Sequence, residues 1–323
     1  MKKCLDNVRT MPGPASYAAA AMGALDYSGL WKGSVSEFYL LTGLAFHFYV
    51  HRHVWPNSFY MYDWNSEHFI MLDRLGIYSE VVNVISSPTL QTYSCLMESM
   101  IARIKDSLLD DLPVIVWFPS TYPEFGLIHG WNDHDRVWMV TDHRNSDTDP
   151  MLFDNLGRSS VPILYLQFIK SAVEINRDKS VRDALQYGLR IWKRPHQLES
   201  GYASGANAYR FLIKALEERD FNSSGLGYLI HLYAGLKSQL PVSLRELSRD
   251  HKSYRDLARA ADYFDQTVIC LKEADRLTGW QDDDSPLNER IKISSETAGG
   301  MIEPLKMALE HETKAMKVIE DCL

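Results

Sequence analysis

The sequence has few cysteines and no long apolar run. Its four cysteines are scattered and form no C-x-x-C pair, which argues against a zinc knuckle or a disulfide framework. Thr42, Gly43 and His47 interrupt the most apolar stretch, Phe38 to Val50, so we expect no membrane span. The first residues carry charge without an apolar core after them. We therefore expect no signal peptide, and a cytoplasmic protein with reduced thiols.

Basic residues and phosphate-binding motifs are also scarce. The chain has 34 Lys and Arg against 42 Asp and Glu, a net charge of −8, which argues against a nucleic acid partner. It contains neither a glycine-rich phosphate loop nor a dinucleotide fingerprint, so no cofactor is expected.

What is present is ample apolar material, 46% of 323 residues, whose pattern changes near residue 175. Before that point, short runs rich in Val, Ile and Trp alternate with turns and a few helices. After it, almost every segment has helical periodicity. The pattern predicts an α+β domain over residues 1–175 and an all-α helical domain over 176–323. In the first domain we predict helices at 16–27, 65–75 and 90–109 and strands at 46–54, 113–118, 125–131 and 136–141. In the second we predict helices at 181–192, 203–218, 225–240, 244–278 and 294–322.

A first candidate site lies at Pro12-Gly-Pro-Ala-Ser16-Tyr17, directly before a run of alanines. The prolines place Ser16 at or beside a helix N-terminus. There the helix dipole and free N–H groups favour a nucleophile and stabilise an oxyanion. The alternative is that Ser16 is only an N-cap.

A second candidate site combines Glu124, His129 and Asp142, which the predicted strands place on or beside one another. A base and an orienting carboxylate could converge there. The alternative is that all three are structural. Glu124 would then be a strand-end carboxylate facing water, His129 a histidine bonded within the sheet, and Asp142 a turn residue.

These segments carry a resemblance. Ser16 through Tyr27-Ser-Gly29, Pro113-Val-Ile-Val-Trp117 and Gly130-Trp-Asn-Asp133 up to Asp142 resemble the papain-like fold of bacteriocin-processing cysteine peptidases. The chain is more closely similar to the butirosin biosynthesis protein H family of acyltransferase-like proteins. Leu41-Thr-Gly-Leu-Ala-Phe46 and the segment from Gly201 to Tyr209 resemble members with an appended helical domain.

The resemblance implies a papain-like cleft that transfers an acyl group from a thioester, with an acyl carrier protein as a candidate partner, to the amine of a small-molecule substrate. Such amide formation belongs to natural product biosynthesis. The family's nucleophile falls on Ser16, its histidine on Glu124 and its strand-end acid on Asp142. Tyr17 becomes a neighbouring hydrogen-bond group, and His129 the base in a shifted register. The candidate substrate-binding residues are Thr42, Gly43, Phe46, His47, Trp131, Tyr202 and Tyr209.

Two of the three catalytic positions depart from the family, which has cysteine and histidine there. Serine lacks the soft nucleophilicity of a thiolate, and a carboxylate is a weaker base than histidine near neutral pH. Three explanations stay open: an engineered replacement of cysteine, base catalysis by Glu124 without a covalent step, or a small-molecule-binding protein on a degenerate scaffold.

A third candidate is a face of histidines. The predicted strand 46–54 places His47, His51 and His53 on one side, where imidazoles could bind a metal ion of a hydrolase. Residues 47 and 51 are about 13 Å apart on an extended strand, so one ion would need a bend. We therefore predict no metal site. The long helices leave room for a homodimer.

Overall fold

The computed structural model describes residues 1–144, 148–158, 162–194, 201–281 and 291–323. The helices are α1 (Ser16–Ser28), α2 (Val35–Thr42), α3 (Trp64–Asp73), α4 (Tyr93–Leu109), α5 (Arg177–Lys193), α6 (Ala206–Glu218), α7 (Ser223–Lys237), α8 (Gln239–Asp250), α9 (Leu257–Thr278) and α10 (Ser295–Asp321). The strands are β1 (Lys2–Cys4), β2 (Tyr49–His51), β3 (Ile77–Ile85), β4 (Val114–Trp117), β5 (Phe125–Asn132), β6 (Val137–Asp142), β7 (Met151–Leu152), β8 (Ile163–Ala172) and β9 (Tyr202–Ser204). Short 3-10 helices span Leu44–Phe46, Pro56–Tyr60, Phe153–Asn155 and Lys252–Tyr254.

The predicted α+β class is confirmed at this level: an antiparallel sheet occupies the N-terminal half, and the C-terminal region is mostly helical. The chain forms two compact units. The first, which we call the sheet unit, contains Met1–Gly33 and Asp63–Ile175, and the second, the helical unit, contains Ser34–Tyr62 and Asn176–Leu323. The segment 34–62 thus belongs with the helical residues, which differs from the division predicted at residue 175.

The sheet unit is built on one antiparallel sheet with the strand order β3-β8-β4-β5-β6-β7. Strand β5 is its most connected member, because it pairs with β6, with β4 through its first half and with β1 through its last three residues. Helices α1 and α4 pack on β4 and β5. The core of the sheet unit lies between these helices and the sheet.

Strands β3 and β8 were not predicted from the sequence. Most of β8 is buried, so its residues do not alternate between apolar and polar. Strand β3 pairs antiparallel with β8 along its whole length, so these two strands, which are distant in the chain, form a large part of the sheet.

The helical unit combines α5 to α10 with α2 and the small β2–β9 sheet. The predicted strand 46–54 is wrong in extent, since β2 spans only Tyr49–His51 and a 3-10 helix precedes it. The predicted helix 244–278 is also wrong, since His251 is extended and divides it into α8 and α9. No helix in the described residues is long and apolar enough to cross a membrane.

Candidate functional site

Ser16 is the first residue of α1, and its hydroxyl binds a neighbouring strand. The N-cap is Ala15, which makes no side-chain capping bond, so the interpretation of Ser16 as the cap is wrong. Instead, Ser16 Oγ accepts a hydrogen bond of 3.2 Å from the backbone N–H of Phe125, the first residue of β5. Ser16 is therefore held beside the residue that follows Glu124.

The first turn of α1 has backbone donors without an acceptor inside the helix. The N–H of Ala19 is the first to bond back along the chain, to the carbonyl of Ala15. The amides of Ser16, Tyr17 and Ala18 precede it and have no acceptor within the helix. The positive end of the helix dipole therefore lies at Ser16.

Glu124 ends the tight connection between β4 and β5. Its carbonyl accepts from the N–H of Phe118, and its own N–H donates to the carbonyl of Tyr122. Phe118 has a φ of 60°, a left-handed conformation that turns the chain sharply after β4. The connection thus returns Glu124 to the sheet directly before β5, with its side chain 4% exposed.

Asp142 ends β6 opposite Gly126 of β5. Glu124 lies two residues before Gly126, so Glu124 and Asp142 lie at the same end of the β5–β6 pair. Asp142 Oδ2 accepts from the hydroxyl of Ser120 at 2.5 Å, and Oδ1 accepts from the N–H of Arg144 at 2.8 Å. Through Ser120, Asp142 holds the connection that carries Glu124.

A cavity of about 340 Å³ lies beside Asp142 within the sheet unit. Its volume is in the range of small-ligand pockets. The Tyr122 ring lies on its wall, with the Arg144 guanidinium 5.4 Å from the ring centre. The described lining residues are Phe118, Pro119, Ser120, Thr121, Tyr122, Asp142, Thr148, Asp149, Pro150, Met151, Asn155 and Arg158.

Tyr17 lies inside the sheet unit with its hydroxyl in a buried polar network. The hydroxyl donates to Gln167 Oε1 at 3.0 Å, and the ring stacks on His68 with 3.5 Å between ring centres. Burial raises the pKa of Tyr17 well above its ordinary value. The structure thus places Tyr17 in the packing behind Ser16, where it holds the helix end.

His129 occupies the bulge of β5, between Ile128 and Gly130, where the pairing with β6 shifts. Its Nδ1 lies 3.3 Å from the carbonyl of Leu5 and 3.7 Å from Cys4 Sγ. Burial lowers the pKa of His129, with the Leu5 carbonyl opposing that shift. His129 thus makes these polar contacts with β1 and the residue after it. Ser16 is bonded instead to Phe125, the residue that follows Glu124.

The remaining sequence-predicted residues are buried in internal contacts. Thr42 donates to the carbonyl of Phe38, Gly43 caps α2 with a φ of 82°, and Trp131 is buried in β5. Phe46 packs so closely on Gly188 that a Cβ there would lie 2.6 Å from its ring.

Two predicted tyrosines also bond within the helical unit. Tyr202 donates to Asn57 Oδ1 at 3.3 Å, and Tyr209 donates to Glu312 Oε2 at 2.7 Å. Burial raises the pKa of both hydroxyls.

The three histidines do not share one environment. His47 Nε2 is 2.7 Å from the Tyr187 hydroxyl, His51 stacks on Trp55, and His53 pairs with Asp220. His51 Nδ1 also accepts from the N–H of His53. Across the described ranges, no group of three or more His, Cys, Asp or Glu side chains could hold a metal ion.

Sequence reasoning missed Ser120 and His68. Ser120 lies in a Pro-Ser-Thr turn, a composition that only indicates a loop. His68 lies within a predicted helix, and its environment depends on residues more than 90 positions away.

No family model and no curated protein sequence matches the chain.

Proposed function

We propose that the sheet unit is a papain-like domain and that the protein is an acyltransferase-like, amide-forming enzyme of natural product biosynthesis. Ser16 is its nucleophile, Glu124 its general base and Asp142 the orienting acid. The observation that carries this proposal is the hydrogen bond from Phe125 to Ser16. It joins the helix N-terminus to the residue next to Glu124, on the sheet where Asp142 ends the adjacent strand.

The proposed reaction has two halves. Ser16 Oγ attacks the carbonyl carbon of an acyl thioester while its proton passes to the Glu124 carboxylate. The C–S bond then breaks, and the departing thiolate takes that proton. An amine attacks the resulting ester and gives a proton to Glu124, which returns it to Ser16 Oγ as the C–O bond breaks. The amide and the free serine remain.

The N-terminus of α1 stabilises the negative charge that develops in both halves of the reaction. The carbonyl oxygen becomes an oxyanion in each tetrahedral intermediate, and the N-terminal amides of α1 are donors for it. Asp142 contributes by position, because its bond to Ser120 restrains the connection that ends at Glu124.

One observation favours a second candidate, a small-molecule-binding protein that does no chemistry. Ser16, Glu124 and Asp142 are only 3%, 4% and 2% exposed, which is typical of packed polar residues. In that case the cavity beside Asp142 binds a ligand and Ser16 only anchors α1 to β5.

Intact mass after incubation with a panel of acyl-pantetheine thioesters and a fluorophosphonate separates these candidates. We expect an adduct on the wild type, none on Ser16→Ala, and an unchanged adduct on the control Ser28→Ala at the other end of α1. Glu124→Gln should keep the fold and slow acylation by about 10²- to 10⁴-fold. Peptide mapping of Ser16→Cys locates its adduct among the native cysteines.

Each outcome has one meaning. A wild-type adduct that peptide mapping places on a residue other than Ser16 removes Ser16 from the mechanism. An adduct confined to Ser16→Cys shows that acyl groups reach the site but that serine does not attack them. No adduct on any variant, together with saturable ligand binding, favours the binding protein.

A further inference from the structure

The residues next to Ser16 and Glu124 meet at a single buried histidine. Tyr17 follows Ser16, and Phe125 follows Glu124. The His68 ring lies 3.5 Å from the Tyr17 ring in a parallel stack with an interplanar angle of 5°. It also meets the Phe125 ring edge-on, with 5.4 Å between centres. His68 is fully buried, and so are both of its ring partners.

Hydrogen bonds fix the orientation of this imidazole. The Tyr165 hydroxyl donates to Gln167 Oε1 at 2.9 Å, because an amide oxygen only accepts. Its single hydrogen is thereby used, so at the 2.7 Å contact His68 Nδ1–H is the donor to Tyr165. The imidazole therefore carries a hydrogen on Nδ1.

The same network holds the backbone of α3. Gln167 Nε2 donates to the carbonyl of His68 at 3.2 Å and to Ser79 Oγ at 3.0 Å, while Gln167 Oε1 accepts from Tyr17 at 3.0 Å. One amide side chain of β8 thus restrains α1, α3 and β3 together. A buried network whose members all have partners is rigid.

We propose that His68 is a positioning residue, which fixes Ser16 at the start of β5 by clamping Tyr17 and Phe125. This inference rests on the proposed function for its catalytic meaning, but the placement of Ser16 can be measured without turnover. His68 takes no part in the reaction itself. It acts through the two aromatic neighbours.

Two variants separate the ring from the hydrogen bond. His68→Phe keeps an aromatic ring for the stack and loses the Nδ1–H donor. His68→Asn keeps a donor near the Nδ1 position and loses the ring. The control for a general loss of stability is Ile104→Ala, which creates a cavity at a buried position of α4 in the same unit.

The first readout is amide hydrogen exchange of Phe125, measured by NMR relative to Val116 in the neighbouring strand. We expect His68→Asn to speed exchange at Phe125 by about tenfold relative to Val116, equivalent to about 1.4 kcal/mol. His68→Phe should leave the ratio within about threefold of wild type, because the stack remains. Ile104→Ala should leave the ratio unchanged.

The second readout is steady-state acyl transfer. We expect His68→Asn to lower kcat by about tenfold with KM unchanged, and His68→Phe to restore most of kcat. An unchanged exchange ratio in His68→Asn overturns the positioning role. If the ratio changes but the wild type shows no turnover, the proposed function fails and the positioning role stands.

Discussion

At the scale of single residues, the most consequential pair in the helical unit is Lys237 and Glu312. Their side chains are each 1% exposed, and Lys237 Nζ bonds Glu312 Oε1 at 2.5 Å. The other carboxylate oxygen accepts from Tyr209 at 2.7 Å. Both carboxylate oxygens are thus bonded, which is what makes buried charge tolerable.

We predict that removing one partner costs much more than removing both. Glu312→Gln leaves the Lys237 ammonium buried without its counter-charge and should lower the free energy of unfolding by about 3–5 kcal/mol. Lys237→Met combined with Glu312→Leu should cost less, about 1–3 kcal/mol, because it leaves only the buried Tyr209 hydroxyl without its acceptor. Urea unfolding at pH 7 measures both. A double variant as unstable as the single one would show that the pair itself supplies net stability.

At the scale of elements, β5 organises the candidate site, because it binds Ser16 at one end and pairs with three other strands. Gly126 makes the close pairing with β6 possible. A Cβ at this position would lie 2.2 Å from the carbonyl oxygen of Thr141 and 2.8 Å from the Pro119 ring. Backbone cannot yield at such a distance without moving the strand.

We predict that Gly126→Ala separates the ends of β5 and β6 and lowers the melting temperature. It should also abolish acylation of Ser16, because the residues on either side of the strand shift with it. The control is Gly299→Ala in α10, where a Cβ meets nothing within 4 Å and alanine favours the helix by about 1 kcal/mol. A Gly126→Ala protein as stable as wild type would contradict the close approach.

At the scale of the whole molecule, the two units are not consecutive pieces of chain. The segment 34–62 interrupts the sheet unit in the sequence, and its residues bond to and pack against residues of the C-terminal half. Tyr233 donates to the Tyr49 carbonyl and accepts from the Tyr49 N–H, while the Phe48 ring packs against Tyr209. A fragment of residues 1–175 would therefore lose the partners of this segment.

We also predict that the whole protein loses stability on mild acidification. Burial lowers the pKa of His129 and of His143 below the ordinary 6.5. The unfolded chain then binds more protons than the folded one below that pH. The contribution of these two neutral imidazoles to the free energy of unfolding is fully present above pH 6.5. It declines as the pH falls towards their folded-state pKa values.

Chemical denaturation between pH 7.5 and 5.5 tests this sign. The free energy of unfolding should fall over that interval in the wild type and fall less in His129→Gln/His143→Gln. The other histidines remain in both proteins, so the difference between the two curves isolates this pair. Parallel curves would show that neither imidazole is held neutral by the fold.

Local sequence determined several elements of this protein. The proline-rich entry and the alanine run predicted where α1 begins, because proline cannot continue a helix backwards and alanine favours one. Val- and Trp-rich runs predicted β4, β5 and β6, which in turn predicted that Glu124 and Asp142 lie near adjacent strand ends. These signals depend on residues close in the chain.

Tertiary structure alone decided the rest. The anchor of Ser16 on Phe125 spans 109 positions and the stack of His68 on Tyr17 spans 51, so no local periodicity indicates either. The histidines of 47–53 were predicted on one face, but a short buried strand needs no alternation, and each imidazole has a different partner. Burial and long-range pairing depend on which distant segments pack together, and that choice is made only when the whole chain folds.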